Sequence, residues 1–274
     1  MKFLFIAAAA VASNIVRIPG QGSVRGGRNG SCSFYLGMPY AEPPVGIRRW
    51  TDPAPKSSWE PAVRDASSHG PTCPQHGGWP TLLSMWQDED CLQLNIFKHE
   101  NRNVSTRIGE LPLLPVMIWI HGGSYTWGGA HDTETDGCRF VESSPEIIVV
   151  TIQYRLGIFG GLGGDLVEER QKKQLREAPS TNFALKDQIM ALQWVREHIT
   201  VFGGDRNKVT IVGESAGAGS VSALLVSPPA RGLFHRAVMQ SGAFAPWATK
   251  TVNDAQNILN DVMSIANCTA LECL

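Results

Sequence analysis

Apolar positions along this chain change their spacing several times, and each change predicts an element. Residues 113–120 and 147–152 are nearly unbroken apolar runs, which suits strands covered on both faces in a mostly parallel sheet. Residues 92–97 alternate instead, with Leu92, Leu94 and Ile96 on one face of a further strand. From Phe183 onward, Leu185, Ile189, Leu192, Val195, Ile199 and Phe202 recur at spacings of three and four, one face of a helix that Gly203-Gly204-Asp205 stops. The β-branched run Val209-Thr210-Ile211-Val212 then enters Gly213-Glu214-Ser215-Ala216-Gly217 and passes into a helix that lasts until Pro228-Pro229. Residues 236–240 read as a short buried strand. Residues 252–266 read as an amphipathic helix with Val252, Ile258, Val262 and Ile265 on its apolar face.

The intervening text is less regular. Residues 19–64 are punctuated by Gly and Pro and suit short antiparallel strands joined by turns, residues 101–110 suit an exposed loop, and residues 165–180 are charged and then turn-like. The whole is an α/β pattern: a mostly parallel twisted sheet, helices on both faces, and an antiparallel strand region at the N-terminus. No internal repeat or low-complexity linker divides it.

Composition adds bounds to this picture. The chain has 274 residues and is 43% hydrophobic, enough for a sizeable core. Its 24 basic and 25 acidic residues leave a net charge of −1, which gives no footprint for nucleic acid or an anionic membrane. Met1-Lys2, the apolar residues 3–11 and the small residues Ala10-Val11-Ala12 have the layout of a secretory signal over residues 1–12, with the folded domain in residues 13–274. No stretch reaches the length of a membrane span. A secreted or secretory-lumen location follows, and three sequons, at Asn29, Asn103 and Asn267, sit in polar or turn-rich surroundings suited to glycans. The six cysteines are then compatible with disulfides. Closing the Pro/Gly-rich loop between Cys73 and Cys91 would stabilise by about 3 kcal/mol, although sequence alone does not fix the pairing.

The candidate chemistry lies at the strand-to-helix passage. Gly213-Glu214-Ser215-Ala216-Gly217 has the form of a nucleophile elbow, in which Ser215 is the nucleophile and the glycines leave room for a strained turn. A serine hydroxyl needs a base to take its proton, and its tetrahedral adduct needs main-chain donors aimed at the new oxyanion. The amide of Ala216 is one such donor. The turn Gly122-Gly123-Ser124, directly after the run at 113–120, offers others. No spacing suggests a metal site, and no cofactor motif is present.

In order along the chain stand Tyr40-Ala41-Glu42-Pro43-Pro44-Val45-Gly46, Glu89-Asp90-Cys91-Leu92-Gln93-Leu94-Asn95, Trp119-Ile120-His121-Gly122-Gly123, Tyr154-Arg155-Leu156-Gly157, Asp187-Gln188, Phe202-Gly203-Gly204-Asp205, the elbow, and Gln240-Ser241-Gly242. As an ordered set running from about residue 33 to the end, these blocks resemble the N-terminal half of a type-B carboxylesterase, the family of carboxylesterases and cholinesterases in the α/β-hydrolase fold. The resemblance implies hydrolysis of a small carboxylic ester through an acyl-enzyme on Ser215, with Gly123, Ser124 and Ala216 as oxyanion donors. The family usually has a third glycine where this chain has Ser124. The resemblance further implies an acyl-pocket role for Trp247 and orienting roles for Glu214 and Ser241. Two ion pairs are implied, Arg49 with Glu89 and Arg155 with Asp187, and two disulfides, Cys73 with Cys91 and Cys268 with Cys273. Cys32 and Cys138 have no partner in that pattern, and Cys138 is expected as a free or buried thiol.

In this fold the acid and the histidine follow the serine, yet the one histidine after Ser215 is His235, too early to match the base. The acid and base are expected beyond Leu274, so a longer parent would be the ester hydrolase and the 274 residues alone an inactive truncated product. A non-catalytic adhesion or scaffold relative is the rival reading. His121 belongs to the oxyanion turn, and His69, His76, His99, His131 and His198 read as surface groups.

Overall fold

The computed structural model describes residues 14–76, 86–100, 112–131, 136–175, 181–243 and 250–274. The segment read as a signal, the sequon at Asn103 and Trp247 lie outside the described residues. The architecture is a nine-stranded mixed sheet with helices packed against it. Its strands are β1 (Ile15–Ile18), β2 (Gly22–Asn29), β3 (Cys32–Pro39), β4 (Val63–Ala66), β5 (Gln93–His99), β6 (Leu114–Ile120), β7 (Ile148–Ile152), β8 (Gly204–Glu214) and β9 (Arg236–Gln240). They are ordered β1-β2-β3-β5-β7-β6-β8-β9, with β4 beside β2. Along that order the first part is antiparallel, from β1 to β7, with β4 parallel to β2 at its side, whereas β7, β6, β8 and β9 run parallel. The antiparallel N-terminal region expected from the Gly/Pro punctuation is therefore present.

The unbroken apolar runs became central strands for the expected reason. Every residue of β7 is buried, and β6 buries Val116, Ile118 and Ile120 on one face while Met117 and Trp119 are covered in part on the other. Strand β9 has the predicted span but not the predicted burial. It lies at the sheet edge with Val238 and Met239 exposed, because β8 covers only one of its sides.

The helices are α1 (Gly137–Ser143), α2 (Gly157–Gly161), α3 (Asp165–Leu175), α4 (Phe183–His198), α5 (Ala216–Val226) and α6 (Val252–Ile265). Helix α4 buries Ile189, Leu192 and Val195 as its spacing requires, and Gly203, at φ 94°, turns the chain out of the following 3-10 turn. Of residues 165–180, read as charged and then turn-like, residues 176–180 lie outside the described residues, and residues 165–175 form α3. Glu168–Lys172 and Glu169–Lys173 pairs line its exposed face, and Val167 anchors it in a small cluster with Trp50, Leu162, Phe183, Leu259 and Met263.

Three disulfides are present: Cys73–Cys91, Cys268–Cys273 and Cys32–Cys138. The first two are those the family pattern implies. The third corrects the expectation of a free thiol at Cys138. Helix α1 lies so close to β5 that a β-carbon on Gly137 would be 2.2 Å from the Phe97 ring, and this brings Cys138 to Cys32 on neighbouring β3 at a Cα separation of 5.4 Å. The two ion pairs also form. Arg49 reaches Glu89 with Nε at 2.7 Å, and Arg155 grips Asp187 through Nε at 2.8 Å and Nη2 at 2.7 Å, fully buried. Asn29 is exposed at the end of β2, and Asn267 is exposed in a turn with φ 53°.

Candidate functional site

The parallel half of the sheet carries β8 straight into α5, and Ser215 is the single residue between them. Its backbone has φ 53° and ψ −117°, a costly conformation for a residue with a side chain, and it persists only where neighbours enforce it. The neighbours are main chain. The Ser215 N–H donates to the Gln240 carbonyl at 2.8 Å, and the Ser215 carbonyl accepts from Gly219 N–H at 3.0 Å. A β-carbon at Gly213 would be 2.3 Å from the Gly217 carbonyl oxygen, and one at Gly217 would be 2.1 Å from that of Ile120. Both glycines are thus required for close backbone approach.

The end of β6 lies directly beside this elbow, because Ile120 pairs in register with Gly213. A β-carbon at Gly122 would be 3.3 Å from the Ser215 β-carbon and 2.8 Å from both the main-chain oxygen and Oε2 of Glu214. Residues Gly123, Ser124 and Tyr125 then have φ values of 97°, 55° and 60°, three left-handed residues in succession. Gly123 is buried and Ser124 exposed. Among the described residues, no acceptor takes the N–H of Gly123, Ser124 or Ala216. The turn and the helix start therefore bring three uncommitted donors to the neighbourhood of one serine.

The turn is fixed from beneath. Tyr154 Oη donates to the His121 carbonyl at 2.6 Å, and its ring stacks on the His121 imidazole at 4.3 Å. His121 Nδ1 lies 2.9 Å from the Gly122 carbonyl oxygen; burial pushes the ring pKa down to about 4. Tyr125 reaches Ser220, which accepts from Gln188 Nε2 at 3.0 Å, linking the turn to α5 and α4. Burial raises the Tyr125 phenol, with the Ser220 bond pulling the other way.

Of the other residues named from sequence, Glu214 ends β8 over Gly122, and Ser241 follows β9 with φ 54° and is exposed. Sequence reasoning did not single out Gly242, whose added β-carbon would be 2.7 Å from the Ser215 carbonyl oxygen, or Gln75, which contacts Gly128. The Gln240-Ser241-Gly242 block was a signal for the first. Nothing local marks the second. His131, read as a surface group, is buried, and His69 is half-buried with its ring 5.0 Å from that of His131. The reason is the Gly128-Gly129 passage, which folds residues 128–131 back over the end of β7, where Ala130 N–H donates to Gln153 Oε1 at 3.3 Å.

His235 immediately precedes β9, beside the middle of β8 rather than at its elbow end. Its N–H donates to the Val209 carbonyl at 2.8 Å, and six residues of strand at about 3.3 Å each separate Val209 from Ser215. Among the described residues, no group of three or more His, Cys, Asp or Glu side chains could hold a metal, and no helix is long and apolar enough to cross a membrane.

Comparisons with known proteins agree in direction. The sequence model of the Carboxylesterase family matches residues 12–274. Para-nitrobenzyl esterase of Bacillus subtilis (strain 168) is 42% identical over 228 residues, covering 81% of this chain and 42% of that protein. Carboxylesterase 5A of Mus musculus is 39% identical over 254 residues, covering 88% of this chain and 40% of that protein. Among solved structures, a carboxylesterase of Geobacillus stearothermophilus superposes with a TM-score of 0.79 at 35% identity over 94% of this chain, and a thermophilic PNB esterase with 0.78 at 38% over 93%. The chain spans less than half the length of each, the largest share being 49%.

Proposed function

This chain belongs to the carboxylesterase family and has its α/β-hydrolase fold, and on that premise we propose that the protein carrying it hydrolyses carboxylic esters with Ser215 as the nucleophile. The observation that carries the reading is the strained Ser215 beside the 122–124 turn, with the N–H groups of Gly123, Ser124 and Ala216 uncommitted. Ser215 Oγ attacks the ester carbonyl, its proton passes to a base, and the carbonyl oxygen takes the negative charge against those three amides. Collapse of the adduct expels the alcohol and leaves an acyl-serine, which water then cleaves by the same route. Each amide is worth about 3 kcal/mol of transition-state stabilisation. Ser124 donates through its main chain, as a glycine there would, while its side chain narrows the approach.

The base and its acid come from outside these 274 residues. His235 is disfavoured as the base by its place beside Val209, midway along β8 and six residues before Ser215, and His121 by its buried ring, already engaged with Gly122. Glu214 and Ser241 flank the elbow and orient it, and Trp247, on the family pattern alone, would serve the acyl group. The three disulfides support passage through an oxidising secretory compartment, where Asn29, Asn103 and Asn267 would meet the glycosylation machinery. The substrate is a small carboxylic ester.

The test uses the protein that carries these residues, a fluorophosphonate label and p-nitrophenyl acetate. Ser215→Ala should abolish labelling and lower turnover by about 10⁴-fold or more. A folded protein that takes no label, or a Ser215→Ala variant that still hydrolyses, would sink the esterase reading.

A further inference from the structure

The 122–124 turn rests on the segment that follows it. Gly123 accepts hydrogen bonds from Thr126 N–H at 2.9 Å and Trp127 N–H at 3.0 Å. Gly128, at φ 109°, packs so closely beneath the turn that a β-carbon there would be 2.6 Å from His121 Nδ1 and 2.7 Å from the Gly122 carbonyl oxygen. What holds Gly128 is one side chain from a distant part of the chain. Gln75 Oε1 accepts from Gly128 N–H at 3.0 Å, and Gln75 Nε2 donates to the Gly128 carbonyl at 3.1 Å and to the Cys73 carbonyl at 3.1 Å. His76 N–H adds a bond to the Thr126 carbonyl at 3.3 Å, and Gln75 N–H donates to Gln87 Oε1 at 3.0 Å. Cys73 is in turn tied to Cys91, just before β5.

We propose that Gln75 is a positioning residue for the oxyanion turn: its amide clamps both main-chain groups of Gly128, and the Cys73–Cys91 disulfide anchors that clamp to the sheet. The inference rests on the esterase reading above. Its physical basis is preorganisation. Amide donors stabilise an oxyanion only if they are already aimed when charge develops, and three left-handed residues in a row do not hold such an aim unaided. A carboxamide can satisfy a donor and an acceptor on one residue at once, which neither a carboxylate nor an alkyl chain can do.

The test is Gln75→Leu in the protein that carries these residues, since leucine fills similar volume without the hydrogen bonds; Gln75→Ala serves as the second variant. With p-nitrophenyl acetate, kcat should fall about 10-fold to 100-fold while KM stays within about twofold. Amide hydrogen exchange should rise in residues 121–128 and stay unchanged in β6 and β7. Wild-type kcat in both variants, or a kcat loss without faster exchange at 121–128, would overturn the proposal. If the unsubstituted protein shows no Ser215-dependent turnover, the esterase reading fails separately, and unchanged exchange at 121–128 would still overturn the clamp.

Discussion

His121 uses its two ring nitrogens differently. A carbonyl oxygen can only accept, so Nδ1, facing the Gly122 carbonyl at 2.9 Å, carries the proton, and Nε2 is left as a buried lone pair with no hydrogen-bond partner among the described residues. Burial holds the ring near a pKa of about 4, and burial, with His69 and His121 nearby, holds His131 near about 4 as well. Both lie below the ordinary value of 6.5, so the unfolded chain binds protons first as pH falls. Stability is therefore full above pH 6.5 and is lost progressively toward pH 4, with His121 alone contributing on the order of 3 kcal/mol. Urea unfolding midpoints measured from pH 7 to pH 4 should fall steadily, and His121→Gln should flatten the curve; a flat curve in the unsubstituted protein would contradict this. The two kinds of residue differ in how much the sequence reveals. Ser215 was legible because the glycines that permit its geometry are its immediate neighbours. His131 was not, because its burial depends on how residues 128–131 pack against β7.

Elements were legible in span more than in orientation. Helix α6 occupies residues Val252–Ile265 as its periodicity required, but Val252 and Ile265 are exposed, and the buried positions are Leu259 and Met263, one turn apart. That pair meets Trp50, Leu162, Val167 and Phe183, a surface no local pattern announces. The start of the helix is written locally. Thr251 accepts from Asp254 N–H at 3.1 Å, and Asp254 accepts from Thr251 N–H at 2.9 Å, a reciprocal capping box. Thr251→Ala should cost about 1 kcal/mol in unfolding free energy, read from denaturant midpoints. No change there would mean that α6 is held by its packing alone. The exposure of β9 is the same lesson in a strand: the apolar centre Ala237-Val238-Met239 specifies extension, whereas burial requires a neighbour on each side.

At the scale of the molecule, three disulfides tie the chain over very different spans. Cys32 and Cys138 are 106 residues apart, Cys73 and Cys91 are 18, and Cys268 and Cys273 are 5. Loop-closure entropy ranks their contributions at about 5, 3 and 2 kcal/mol, so Cys138→Ser should destabilise most and Cys268→Ser least. Thermal unfolding of the single variants checks the order, and a reversed ranking would show that native-state packing outweighs the constraint on the unfolded chain. The amino-acid sequence by itself determined the alternation of strands and helices, the elbow glycines and the family blocks, because each depends on residues close together in the chain, where sterics and spacing act directly. Only the tertiary structure decided the Cys32–Cys138 bond, the burial of His131, the apolar face of α6 and the grip of Gln75 on Gly128. Each of those joins segments whose meeting depends on how the whole sheet assembles, and no local spacing encodes that.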